Sequence, residues 1–191
     1  LKASRKAIKS EISARFPAYA RLIDPKPATV DQARASLAPG EALIATYVGA
    51  NQTFVWAVPH TGDAAFAAVD LGHEDLDDTV ALLRSALEPN ATTVGEIPAY
   101  DVAAAHGLFT KLLEPVKDGW ADATDLLVVA HGPLGYLPLS LLPTAPVHIP
   151  AEKVPLFANY RDVPWLARGH AVTVLPSVAS LRTLRGLPPG N

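Results

Sequence analysis

The 191 residues carry 16 Lys and Arg against 19 Asp and Glu, a formal charge of −3. The basic residues are scattered, which leaves no electrostatic footprint for nucleic acid or an anionic membrane. Cysteine is absent, so this chain holds no disulfide, no thiolate metal site and no thiol nucleophile.

Half of the residues (49%) are hydrophobic, enough for a core without covalent staples, and no apolar run reaches membrane-spanning length. Methionine is missing even at position 1, so the native start is expected to lie outside this sequence. The lack of a signal peptide is then uninformative. Residues 1–22 read as an amphipathic helix, with Ala7, Ile8, Ile12, Phe16 and Tyr19 on one side, ended or kinked at Pro17. The connector IDPKPAT leads to Thr29, an N-cap for the short helix VDQARASL, which APGE breaks.

The clearest strand signal follows. ALIATYVGA and TFVWAVP flank Asn51-Gln52 as a hairpin, and AAFAAVDL continues it across HTGD. Leu43, Ala45 and Tyr47, then Phe54, Trp56 and Val58, alternate as strands with one buried face should. An acidic helix spans about 74–87 with Leu76, Val80, Leu83 and Leu87 at helical spacing, and its early carboxylates favour the positive end of the dipole. After the loop EPNATTVGEIP, Asp101 caps a helix to Leu113 whose apolar face is Val102, Ala105, Leu108, Phe109, Leu112 and Leu113. The continuous apolar run LLVVA predicts a strand buried on both faces. PTAPVHIPAEKVP has no period and reads as a long loop. HAVTVLP predicts a second buried-type strand, and Ser177 caps a last helix, VASLRTLR, before the tail GLPPGN.

Of six histidines, none is spaced from another as a metal pair, and no metal or cofactor is expected. His60 and His148 read as solvated loop residues, His73 as a helix start, His106 as helical, and His170 as preceding a strand. His131 is the one candidate base, because it follows LLVVA where sheet enzymes carry functional groups beyond strand C-termini. Ser140 lacks a Gly-x-Ser-x-Gly elbow. A pair of His131 and Ser177, which follows the neighbouring strand, is geometrically conceivable but carried by no motif, and a helix cap explains Ser177 better. The competing reading makes GPLGYLPLSLLP architecture. Gly132 and Gly135 turn the chain, Pro133 and Pro138 stiffen it, and the leucines return to the core.

LLVVAHGPLGYLPLSLLP resembles a segment of CHAT domains: an apolar strand, a polar residue, Gly, any residue, Leu, two more, Pro and a Leu-rich end. FPAYARLIDPKPATVDQARASLAPGEALIATYVGANQTFVWAV is similar to the approach to such domains, as are LLEPV and AVTVLPSVASLRTLR in their order. CHAT domains are relatives of caspases and separases, often attached to tetratricopeptide-type helical repeats. The resemblance implies a caspase-like α/β fold of cysteine peptidase ancestry, with the family's catalytic His-Gly and Cys strands C-terminal to everything matched. On that alignment His131 takes the polar position of the turn segment and is not the family's catalytic histidine.

The expected fold is therefore α/β: a mixed sheet flanked by helices, with an antiparallel meander as its edge side, LLVVA and AVTVL as its parallel core, and an opening helix. Residues 1–28 would be that helix and connector, with the end of a helical-repeat region as a further reading, and 29–191 the N-terminal part of a CHAT-like domain. The expected role is non-catalytic support of the rest of that domain. A non-enzymatic interaction or scaffold module is the alternative, and a serine hydrolase using His131 and Ser177 the third reading. The chain alone is expected to be no enzyme, and the resemblance implies that the parent is a caspase-like cysteine peptidase or a regulatory relative. Expected partners are the remainder of the domain, with a helical-repeat region or a peptide substrate as further candidates. Neither nucleic acid nor membrane is expected, and the expected compartment is the cytoplasm. A partial sheet is expected to expose an apolar edge and to self-associate, or to be ordered only with a companion chain.

Overall fold

A computed structural model describes residues 28–149 and 157–185, together with Glu11 and Arg15. The helix expected over 1–22 otherwise lies outside the described residues. Glu11 and Arg15 are helical and pair across one turn at 3.5 Å. The tail from 186 and the 150–156 part of the Pro-rich loop lie outside as well.

Thr29 closes a capping box on α1 (Val30–Arg34): its hydroxyl accepts the Gln32 amide at 3.2 Å, and the Gln32 side chain accepts the Thr29 amide. The helix stops earlier than its apolar pattern, as residues 35–36 turn toward Pro39 and Gly40. Gly40 has a φ of +84°, a conformation open to glycine. The chain enters β1 (Glu41–Val48) and turns through residues 49–52, where the Gly49 amide donates to Gln52. It returns as β2 (Thr53–Pro59) and adds β3 (Ala65–Val69), both pairings antiparallel. Helices α2 (His73–Leu87) and α3 (Val102–Leu112) and a 3-10 turn at Glu114–Gly119 then cross over the sheet. β4 (Asp125–Val129) comes back parallel to β1, and β5 (Ala171–Val174) parallel to β4. The last helix is α4 (Val178–Arg185). The order is β3-β2-β1-β4-β5, an α/β fold with a five-stranded mixed sheet flanked by helices.

The faces are unequal. The larger core joins Ala42, Ile44, Val55, Ala57, Leu126 and Val128 to the inward sides of α2 and α3 and to Trp120. The smaller joins Leu43, Val58 and Leu127 to Ala33, Leu37, Leu175 and Leu181 under α1 and α4. β4 feeds both cores, as its unbroken apolar run requires. The aromatic alternation of the meander does not mark its more closely packed face. Of the aromatic alternation only Leu43 and Val58 are buried, whereas Tyr47 is 54% exposed; the closely packed face is the aliphatic one. β5 also departs from its buried-type pattern. It is an edge strand, paired on one side among the described residues, with Val174 60% exposed.

Tyr100 precedes the Asp101 cap of α3. Its hydroxyl donates to the Leu141 carbonyl, and its amide donates to the Tyr160 hydroxyl at 2.9 Å. Burial first, and the Asp101 charge second, push its phenol from 10.0 up to about 12. A folded-state value above the unfolded one means the contribution is complete below pH 10.0 and lost as pH rises through about 12. Alkaline absorbance titration should show a phenol ionising near pH 12 that disappears in Tyr100→Phe. The wild-type melting temperature should also fall more steeply over that interval than the variant's.

Candidate functional site

The C-terminal ends of the parallel strands meet at one side of the sheet, where His131 leaves β4. Its backbone amide donates to the Thr46 hydroxyl at 3.0 Å, and Thr46 is itself buried on β1. Its Nδ1 accepts the Val48 amide at 3.1 Å, and its ring stacks on Tyr47 with centroids 4.7 Å apart. An imidazole whose Nδ1 is an acceptor carries its neutral-state proton on Nε2. The nitrogen left facing outward is then a donor, and so bonded the ring has no lone pair free to take a hydroxyl proton. His131 ties β1 to β4.

Ser177 lies at the equivalent position after β5: both residues stand three places beyond the register pair Val128 and Val174. Topology thus brings them to the same end of the sheet, as the hydrolase reading needed. Their bonds go elsewhere. Ser177 Oγ accepts the Ser180 amide at 3.1 Å and lies 2.8 Å from Ser180 Oγ, which makes it the cap of α4.

The segment after His131 folds back at once. Gly132 has a φ of +61°, and a 3-10 turn at Gly132–Tyr136 buries Pro133 and Leu134 beneath α2. A second turn, Leu139–Leu141, precedes Leu142, which is fully buried and whose carbonyl accepts the Leu166 amide at 2.9 Å. Pro143 then bridges Trp165. Leu134, Leu137, Leu139 and Leu142 are all core residues, while Leu141 is half-buried.

The other histidines have separate surroundings. His60, expected to be solvated, is half-buried and donates from Nδ1 to the Leu37 carbonyl at 2.9 Å. His106 donates likewise to Pro143 and His170 to Ala123, where His170 also meets the edge of Trp120. His73 begins α2 beside Gly132, and His148 is exposed. Among the described residues no three His, Asp or Glu side chains converge as a metal site. No helix among them is long and apolar enough to cross a membrane.

Sequence reasoning missed an open aromatic surface next to His131. Tyr47, Phe54, Trp56 and Phe66 form a chain of rings across β1, β2 and β3, with neighbouring centroids 5.3 to 6.4 Å apart. Tyr47 and Phe66 are more than half exposed. The available signal was the contrast within each strand. The intervening positions, Ala42, Ile44, Val55 and Ala57, are small or β-branched aliphatics suited to close helix packing, and the aromatic positions are not. Comparison of the chain with protein-family models, curated proteins and solved structures gives no match.

Proposed function

We propose that this chain is the N-terminal supporting part of a CHAT domain and that strands supplied by the rest of that domain pair along β5. The observation that carries the reading is the unfinished edge. The parallel set runs β1, β4, β5, and its last strand is apolar, exposed and, among the described residues, paired on one side. An apolar edge of this kind invites strand addition. The ordered motif resemblance supports the same reading, in which His131 belongs to the turn segment and the catalytic His and Cys stand downstream. The bonding of Nδ1 to Val48 fits that structural role.

The supporting part by itself is expected to hydrolyse no peptide. Coding sequence beyond Asn191 should supply a strand ending in His-Gly and then one ending in Cys within about one further domain length. Co-expressed with this chain, that segment should form a stable complex that Val174→Glu weakens. Turnover by the isolated chain that His131→Ala abolishes would overturn the proposal. Absence of both downstream strands would favour the scaffold reading, which the open aromatic surface also favours.

A further inference from the structure

From the open face of the meander we infer a docking surface for an arginine-bearing peptide segment, independent of the CHAT reading. Four rings are in contact there: Tyr47 on β1, Phe54 and Trp56 on β2, and Phe66 on β3. The His131 ring extends the row past Tyr47. Register fixes their common side, since Tyr47 faces Phe54 and Trp56 faces Phe66 across the strands. Continuous apolar exposure on a folded domain marks a binding surface more often than idle area.

Charge selects the occupant. From Glu41 to Leu71 the chain has no lysine or arginine, but it has Glu41, Asp63 and Asp70. Asp70 falls on the aromatic side, one step beyond the register pair Val69 and Thr53, and the Gln52 amide holds its Oδ1 at 2.7 Å. Among the described residues Asp70 has no cationic partner. Arginines at the far end of the same face are engaged already: Arg34 with Asp31, Arg182 with Gln32 and Arg185 with Glu41. What remains open is a row of electron-rich ring faces bordered by an oriented carboxylate. A guanidinium suits both parts, because its plane stacks on rings and its fork pairs with a carboxylate. Single-stranded nucleic acid, the other common occupant of stacked aromatics, needs a basic groove, and the described residues form none on this face.

The test uses the full chain and a fluorescein-labelled peptide of alternating arginine and glycine, read by anisotropy. Controls are the same peptide with citrulline or glutamate for arginine, and a labelled oligothymidylate. Binding to the arginine peptide alone is expected, weakened roughly three- to five-fold by each of Tyr47→Ser, Phe66→Ser and Asp70→Asn. Equal binding of the citrulline peptide would overturn the inference. So would preference for the oligonucleotide, no binding at millimolar peptide, or wild-type binding by a folded Tyr47→Ser/Phe66→Ser double variant. Sedimentation showing the face closed by a second copy, and freed by Phe66→Ser, would overturn it too. Should the ring variants fail to fold, Asp70→Asn and the citrulline exchange on the wild-type chain still decide it.

Discussion

Leu134→Ala should lower stability by about 2 to 5 kcal/mol, while His131→Ala one turn earlier should cost about 1 kcal/mol or less. Leu134 is fully buried where the Gly132–Tyr136 turn meets α2, so truncation leaves a cavity between rigid elements. His131 is exposed, and water can replace its bond to the Val48 amide. For a chain of this size the leucine change corresponds to a fall in melting temperature of roughly 5 to 15 °C. Differential scanning calorimetry of the two variants gives the comparison directly. Were His131→Ala the more damaging, the segment would have a role beyond packing and the strand tie. Leu142→Ala, equally buried at the other end of the segment, should behave like Leu134→Ala.

Gly119→Ala should be nearly as severe, although it adds a single methyl group. A Cβ at Gly119 would lie 2.5 Å from the Ala57 carbonyl oxygen and 2.8 Å from the Ala57 Cβ, both on β2. The obstacle is strand backbone, which cannot rotate aside as a flexible side chain would. The 3-10 turn at Glu114–Gly119 must therefore lift from the sheet and carry Trp120 with it. Trp120 is buried, donates from Nε1 to the Leu113 carbonyl at 2.9 Å, and packs edge-on against Phe109 and His170. Overpacking of this kind costs about 1 to 3 kcal/mol, and the coupled displacement of Trp120 places this case at the upper end. Chemical denaturation should show a lower midpoint together with altered Trp emission. Gly95→Ala, where a Cβ meets open space, is the matched control and should leave the midpoint unchanged.

Elements with strong local signals were legible in the sequence. Thr29 and Asp101 are caps where a short polar side chain precedes an apolar period, and both make the amide bonds expected of them. The spacing of Val102, Ala105, Leu108, Phe109 and Leu112 places all five in the core. The hairpin around Asn51-Gln52 and the interior position of LLVVA, paired on both sides, were legible as well. Of the candidate site, Ser177 was legible as a cap, whereas the partners of His131, Thr46 and Val48, lie more than eighty residues away in sequence.

What the sequence by itself determined was roughly where the strands and the described helices lie, which residues cap α1, α3 and α4, and that an α/β sheet results. Turn chemistry, capping and apolar period act over a few residues and need no partner. Only the tertiary structure decided which side of the meander is covered, which apolar strand is the edge, and which way the His131 ring is bonded. Alternation shows that a strand has two unlike faces but not which one a helix will cover. Apolar content likewise shows that a strand can be buried but not how many neighbours it has. Both are settled by packing between segments far apart in the chain, and it is this packing that leaves Tyr47, Phe66 and Val174 in the open.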